Sequence, residues 1–367
     1  MKKVMLVFGT RPEAIKMCPL ILELKKQQSI KTVVVVSGQH REMLDQVLDV
    51  FGVKPDYNLS IMQPRQDLFD ITGRVMDGMK RVLKQVKPDL VLVHGDTSTS
   101  FAASLSCFYL NIPVGHVEAG LRTNDINQPY PEEFNRRVIS MISDIDFAPT
   151  EQAKINLVNE GKDESKIFIT GNTAIDALKI TVRDNYKNKE LDWLDGDKLI
   201  LLTAHRRENL GDPMRNMFRA IKRCLDEHTD IKVIYPIHLN PVIREIADEI
   251  FSDSSRIHII EPLDVFDFHN MMNHSHIILT DSGGIQEEAP SLGVPVLVMR
   301  DQTERPEGVQ AGTLKVVGTD ETNIYNSFKL LLENDIEYKK MSCTQNPYGD
   351  GTASLKITNI IKEYLEA

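Results

Sequence analysis

Short apolar runs alternate along this chain with stretches whose apolar residues recur at helical spacing, the mark of a parallel α/β protein. In the first half the runs are Val4–Phe8, Thr32–Val36, Leu90–Val93, Val114–Val117 and Ile167–Ile169. In the second half they are Leu199–Thr203, Lys232–Tyr235, Ile257–Ile260, Ile277–Thr280 and Val296–Val298, with a weaker one at Lys315–Val317. Between them the spacing predicts helices such as Asp67–Val86, where Leu68, Ile71, Val75, Met79 and Val82 keep one apolar stripe. Residues 183–197 break the alternation, being polar and aperiodic from Arg183 to Glu190. They read as a linker between two Rossmann-like domains, 1–182 and 198–352, followed by a last helix in 353–367.

A length of 367 residues fits two domains better than one. With 41% hydrophobic and 26% charged residues, the chain has the composition of an ordinary globular protein with sizeable cores. The 43 basic and 53 acidic side chains leave a net charge of −10, which argues against nucleic acid as a general partner. An anionic ligand would need locally collected Arg and His. Cys18, Cys107, Cys224 and Cys343 are far apart and read as reduced core thiols of a cytoplasmic protein. Met1-Lys2-Lys3 precedes an apolar run of only five residues that ends in a glycine loop, so the run is a strand and not a signal peptide. No segment approaches membrane-spanning length. His269, His274 and His276 lack zinc spacing and read as structural residues at a helix end. The dinucleotide fingerprint and the Walker A pattern are both absent, so neither a nicotinamide cofactor nor an ATPase reaction has support, and no cofactor or metal is expected.

The most informative stretch is Asp281-Ser282-Gly283-Gly284-Ile285-Gln286-Glu287-Glu288, between the strand Ile277–Thr280 and a helix predicted over Ile285–Leu292. A glycine turn into a helix N-terminus offers N–H groups and partial positive charge to a phosphate. Glu288, four residues beyond Gly284, sits one turn up on the same face, where its carboxylate can accept both hydroxyls of a ribose. The pattern therefore reads as a nucleotide site. The same residues also fit an ordinary N-cap by Asp281 or Ser282.

This stretch and its continuation to Glu307 resemble the signature of the non-hydrolysing UDP-N-acetylglucosamine 2-epimerases, a bacterial family. So do Gly9-Thr10-Arg11-Pro12-Glu13-Ala14-Ile15-Lys16, Gln39–Gln46, His94-Gly95-Asp96-Thr97 and Val117–Arg122. Further matches are Pro131-Glu132-Glu133, His205-Arg206-Arg207-Glu208 and Asn346-Pro347-Tyr348-Gly349-Asp350-Gly351, in order along nearly the whole chain. The resemblance implies a GT-B fold, two Rossmann-like domains whose strand ends face across a cleft, with the last helix, Ala353–Leu365, returning to the first domain. It also implies a homodimer, and a product that feeds surface polysaccharides.

Carbon 2 of such a sugar carries no carbonyl to acidify its proton, and no redox cofactor is indicated. Elimination of UDP to a glycal and its re-addition is the remaining route. It needs carboxylates near carbon 2 and positive groups near the diphosphate. The acid–base candidates are Asp96, Glu118 and Glu132. Asp96 and Glu118 each follow a buried strand; Glu118 has no capping role open to it. Asp96 equally suits an N-cap, and Glu132 a first-turn helix acid. Arg11, His205, Arg206 and His238 stand at strand ends, and His205 could protonate or hydrogen-bond the departing diphosphate. The resemblance carries Lys16, Ser282, Gly283, Gly284 and Glu288 as substrate-binding, Arg305 as close to the sugar or diphosphate, and Phe268 as a stack for uracil. From periodicity alone, Val265, Phe268 and Met272 read as core. The resemblance further implies a second, activating UDP-N-acetylglucosamine at Gln39, His40, Arg65 and Gln66. A GT-B glycosyltransferase using a UDP-sugar donor fits the same cleft, since fold does not fix function. A non-catalytic nucleotide-sugar sensor, or hydrolysis of the intermediate, remains open on sequence.

Overall fold

The protein's structure is a computed structural model that describes residues 1–38, 41–63 and 65–366, with the main chain alone for 41–43. It divides into two compact units, Met1–Ile180 with Tyr348–Ala367, and Thr181–Pro347.

Unit 1 is built on a seven-stranded sheet: β1 (Lys2–Phe8), β2 (Ile30–Val36), β3 (Tyr57–Asn58), β4 (Leu90–His94), β5 (Val114–Val117), β6 (Ile145–Ala148) and β7 (Ile167–Ile169). Every pairing is parallel, in the order β3-β2-β1-β4-β5-β6-β7. Its interior packs Met5, Val7, Val33, Val91 and Val93 against the helix Leu68–Val86. That helix starts at a capping box between Asp67 and Asp70. Ile71, Val75, Met79 and Val82 are buried as the stripe predicts, whereas Leu68, at the helix's first position, stays partly exposed.

Unit 2 carries β8 (Lys198–Thr203), β9 (Ile231–Pro236), β10 (Ile257–Ile260), β11 (Ser275–Thr280), β12 (Val296–Val298) and β13 (Leu314–Val316). These are again all parallel, ordered β10-β9-β8-β11-β12-β13. Phe218, Tyr235 and Phe328 fill its core. In each sheet the strand order reverses once, between β1 and β4 and between β8 and β11. Such switch points leave a crevice beyond the carboxyl ends of the strands, where parallel sheets take ligands.

Four features depart from the sequence reading. β6 escaped it because Asp146 interrupts the apolar run, yet Asp146 is fully buried, accepting a bond from Ser143 Oγ (2.7 Å) and forming an ion pair with Lys162 Nζ (3.0 Å). β3 is only two residues long. The helix predicted from Ile285 starts at Gly283 and ends at Glu288, then tightens into a 3-10 turn over Ala289–Leu292, where Pro290 has no N–H to continue it. Cys18, Cys107 and Cys224 are buried, but Cys343 is exposed, because it caps the helix Asp335–Ser342, which buries none of its residues.

Residues 183–197 are bound into unit 2. The Tyr186 hydroxyl donates to Asp267 (2.7 Å), and Lys232 Nζ donates to the carbonyls of Trp193 and Leu194 (3.0 and 2.9 Å). The three neighbouring histidines are separately engaged. His269 bonds to Thr181 Oγ1 (2.7 Å), His274 to the Asn270 carbonyl (2.8 Å), and His276 stacks on Tyr338. Among the described residues there is no cluster able to hold a metal ion, and no helix long and apolar enough to cross a membrane.

Candidate active site

At the switch point of unit 1, the loops after β1 and β4 are tied by one buried carboxylate. Glu13 accepts from Gly9 N (2.9 Å), Thr10 N (2.8 Å), Thr97 Oγ1 (2.7 Å) and Ser100 Oγ (3.0 Å). Burial holds this carboxyl above the usual range against those donors. Thr10 caps the helix Arg11–Lys25, so Arg11 stands half-buried at its first position and Lys16 lies on its second turn.

Lys16 reaches across to Glu118, whose Oε2 it meets in an ion pair. The same oxygen accepts from Asn172 Nδ2 (2.8 Å) and lies 3.8 Å from His94 Nε2. Glu118 has φ of +63°, a left-handed conformation uncommon outside glycine that costs on the order of 1 kcal/mol or more. Asp96 is gripped by Arg136, whose Nε donates to Oδ2 (3.0 Å), and its carbonyl accepts from Asn135 (2.9 Å). It is not an N-cap: Thr97 takes that position, accepting from Ser100 N (3.1 Å). Burial raises the Asp96 carboxyl, Arg136 opposes the rise, and Glu118 adds to it. Arg136 and Asn135 belong to the helix Glu132–Ile142, so the third predicted carboxylate starts the element that holds Asp96. Its neighbour Glu133 is fully buried between Arg137 (2.9 Å) and Arg136 (3.3 Å), while Glu132 is half-exposed and has no ion-pair partner among the described residues.

Two histidines lie beneath these carboxylates. His116, fully buried, bonds through Nε2 to the Gly95 carbonyl (2.7 Å). Burial lowers the pKa of His94 to about 4 and of His116 to about 3, from 6.5. Both are neutral when folded, whereas the unfolded chain binds their protons below pH 6.5. Their contribution to stability is complete above that pH and drains away as pH falls towards 4 and then 3, each by up to about 1.4 kcal/mol per unit. Urea unfolding followed from pH 7 to 4.5 should show this fall, and His94→Gln should reduce its slope. An unchanged slope in that variant would remove His94 from the account.

At the switch point of unit 2, Asp281 does what its place in the sequence did not reveal. Fully buried, it accepts from the main-chain N–H of His205 (2.9 Å) and Arg206 (2.9 Å) and from Asn209 Nδ2 (3.1 Å). It thereby fixes the loop after β8 beside the glycine turn after β11. Ser282 occupies the N-cap with no side-chain cap bond. Gly283 is packed so closely that a Cβ would meet Arg305 Nη1 and Glu304 Oε1 at 3.0 Å. Glu288 lies a turn above, its Oε1 3.9 Å from the corresponding point on Gly284, and His269 Nε2 is 3.8 Å from its Oε2. His205 is stacked on His238 with ring centroids 5.9 Å apart, and its Nδ1 is 3.4 Å from Asp281. Burial lowers the His205 pKa, with Asp281 opposing.

Arg305 pairs with Glu287 (2.8 Å) and Glu304 (2.6 Å), while Arg300 and Arg206 also reach Glu304 (2.8 and 3.5 Å). Although burial pushes the Glu304 carboxyl up, the three guanidiniums hold it at about 2. Phe268 is half-exposed on the helix Val265–His274, whereas Val265 and Met272 are buried, so the predicted stripe is core at those two positions only.

The structure therefore brings Lys16, Asp96 and Glu118 together in unit 1, and His205, Arg206, His238, Gly283 and Arg305 in unit 2. Sequence reasoning missed Arg136, Asn172 and Asn209, whose partners Asp96, Glu118 and Asp281 lie 40, 54 and 72 residues away, and it gave Glu304 no role. An Asp straight after the buried end of a strand, Ile277-Ile278-Leu279-Thr280, was the one available signal, at Asp281. Of the residues expected to hold an activator, Gln39 and His40 lie outside the described residues. Arg65 is exposed with φ of +59°, and Gln66 Oε1 accepts from Gln63 N (3.0 Å).

Residues 22–362 match the family model described as UDP-N-acetylglucosamine 2-epimerase. A Bacillus subtilis protein named UDP-N-acetylglucosamine 2-epimerase is 62% identical over 355 residues, covering 97% of this chain and 93% of the relative. The crystal structure of UDP-GlcNAc 2-epimerase from Neisseria meningitidis, bound to UDP-GlcNAc, superposes with a TM-score of 0.90 at 49% identity, covering 98% of this chain and all of that one. The S. aureus MnaA–UDP co-structure gives a TM-score of 0.91 at 53% identity, over 100% of this chain and 97% of the other.

Proposed function

The chain belongs to the UDP-N-acetylglucosamine 2-epimerase family, and on that premise we propose how it inverts carbon 2: by elimination and re-addition of UDP through a glycal. The observation that carries this reading is the grouping of Glu118, Lys16 and Asp96 at the switch point of unit 1. A transferase or a sensor has no need for paired carboxylates there.

In the forward half, the bond between carbon 1 and the diphosphate oxygen breaks, and its electrons leave with UDP. The cation developing at carbon 1 acidifies the hydrogen on carbon 2. A carboxylate takes that proton, and its bonding pair closes the carbon 1–carbon 2 double bond. In the return half a proton reaches carbon 2 from the opposite face and UDP adds back to carbon 1. Glu118, Asp96 and Glu132 supply the proton transfers, and the charge of Glu118 raises the Asp96 carboxyl.

The unit 2 residues serve the nucleotide. Amides of the Gly283-Gly284 turn, with Arg206 and Arg305, meet the diphosphate. His205, whose pKa burial lowers, gives an N–H to the departing oxygen. His238 supports His205, Glu288 accepts the ribose hydroxyls, and Phe268 stacks on uracil. Arg11 and Lys16 are the cations of unit 1 that this reading assigns to the substrate.

Incubation of the purified protein with UDP-N-acetylglucosamine, without acceptor or NAD, tests the reading. Appearance of UDP-N-acetylmannosamine supports it. Turnover only after an acceptor is added would transfer support to the glycosyltransferase alternative.

The enzyme acts in the cytoplasm, supplies surface polysaccharide synthesis and works as a homodimer. Exposed apolar side chains on unit 1 support the dimer: Phe69 is 89% and Met141 82% exposed, and the exposed Tyr130 and Phe134 line a cavity of about 370 Å³. Sedimentation velocity reads the assembly state directly, and a monomer at micromolar concentration would count against it. A second UDP-N-acetylglucosamine at Gln39, His40, Arg65 and Gln66 activates the reverse reaction. Arg65→Ala should abolish most of the activation by UDP-N-acetylglucosamine in that direction while leaving the forward KM within about twofold. Undiminished activation would exclude Arg65 from that site.

A further inference from the structure

The motif Asn346–Gly351 follows no strand and has no part in the mechanism above. Its second half, Tyr348–Gly351, belongs to unit 1 and lies against the loop after β7. There Asn172 N donates to the Tyr348 carbonyl at 2.7 Å. Gly171 and Gly349 face each other with no side chain between them. A Cβ on Gly171 would meet the Tyr348 carbonyl oxygen at 3.1 Å and Gly349 Cα at 3.3 Å, and both glycines have positive φ, +85° and +124°. Only glycine allows this contact at both positions.

Asn172, 3% exposed, divides its amide between two tasks. Oδ1 accepts from Ala174 N (3.0 Å), starting the helix Thr173–Thr181, and Nδ2 donates to Glu118 Oε2 (2.8 Å). The two bonds together fix which end of the amide is which. The C-terminal helix Ala353–Glu366 is tied to the helix starting at Thr173, because Asp176 accepts from Ala353 N (3.2 Å) and Ser354 N (2.8 Å). It also packs on the helix Arg11–Lys25, which carries Lys16. Both donors to Glu118 Oε2 thus stand on elements braced by the end of the chain.

We propose that Asn172 is a positioning residue for Glu118, and that Tyr348–Gly351 holds Asn172 in place for that task. The proposal rests on Glu118 being an acid–base carboxylate. Glu118 sits on a left-handed main chain, so its carboxylate needs outside donors to keep one orientation. Lys16 supplies charge on a flexible stem; Asn172 supplies direction from a rigid loop. Among the groups facing Glu118 are Lys16 from the first helix, His94 from β4, Asp96 from the loop after β4, His116 on β5 itself, and Asn172.

Asn172→Asp keeps the oxygen that caps Ala174 and replaces the donor with a second carboxylate oxygen against Glu118. The expected result is a kcat lower by about 10–100-fold, the value of a hydrogen bond to a charged group. KM and UDP affinity should stay within about twofold, and the acid limb of the kcat profile should move to higher pH. Gly349→Ala should lower kcat in the same way at unchanged UDP affinity. If the aspartate variant does not fold, Asn172→Ser is read instead; its hydroxyl keeps the cap but falls short of Glu118, so kcat should drop alone. Glu118→Gln, assayed alongside, separates the two levels of the argument. Full activity in Glu118→Gln would remove the acid–base role on which the proposal rests. An inactive Glu118→Gln beside an Asn172→Asp enzyme with wild-type kcat and acid limb would overturn the positioning role alone. So would a loss in Asn172→Asp that follows thermal stability and leaves the acid limb unmoved.

Discussion

Glu118→Gln is expected to lower kcat by about 10²–10⁴-fold, the range over which a positioned acid–base group acts. Glutamine keeps the length and shape of the side chain, so the left-handed turn after β5 and the bond from Asn172 can both survive. What disappears is the carboxylate. Lys16 loses its ion-pair partner, and no base remains at this position for the proton on carbon 2. UDP affinity should be preserved within about threefold, because the residues assigned to UDP hang on Asp281 and the glycine turn in unit 2. Calorimetric titration with UDP and initial-rate kinetics separate the two effects. A variant with unchanged kcat would remove Glu118 from the acid–base set. One that lost UDP binding as strongly as kcat would point to a disturbed fold.

Asp281→Ala should have the largest effect on unit 2. Its carboxylate satisfies the main-chain N–H groups of His205 and Arg206 and the Asn209 amide, and it is fully buried. Truncation leaves these donors without their acceptor, at about 1–3 kcal/mol for each buried group left unsatisfied. A loss of about 3 kcal/mol or more in urea unfolding follows. The loop after β8 should also loosen, and with it the placing of His205 and Arg206, weakening UDP by about 10–100-fold, the worth of one or two charge-assisted bonds. Asp281→Asn keeps one accepting oxygen and should fall between. Normal UDP affinity in a folded Asp281→Ala protein would show that the loop holds its place by other means.

Most of the framework was legible because buried parallel strands are continuous apolar runs. Val4–Phe8, Leu90–Val93 and Leu199–Thr203 all announced themselves in this way. β6 did not, because Asp146 stands in its middle, and only the arrival of Lys162 and Ser143 makes that burial tolerable. Cys343 looked like another apolar position, yet it closes a helix that lies wholly on the surface. The start of the nucleotide-type helix was misplaced by two residues, since Gly283-Gly284 reads as a turn by composition and becomes the first helical turn.

Site residues divide along similar lines. The positions of Asp96 and Glu118 after a strand, and of Glu288 on a helix face, were readable. Their partners were not, because Lys16 meets Glu118 across 102 residues and Asn172 across 54. Periodicity carries no information over such separations. Asp281 is the instructive case. It looked like a helix cap, and its carboxylate instead turns back to the preceding loop, since the strand order sets β8 beside β11.

The most direct test of the account is proton NMR of the enzyme with UDP-N-acetylglucosamine in D₂O, with neither NAD nor acceptor present. The account predicts UDP-N-acetylmannosamine carrying deuterium at carbon 2, with deuterium also entering the recovered substrate as the reaction reverses. UDP-N-acetylmannosamine formed with its carbon 2 hydrogen retained as protium would contradict proton loss to a solvent-exchanging carboxylate, and with it the central claim.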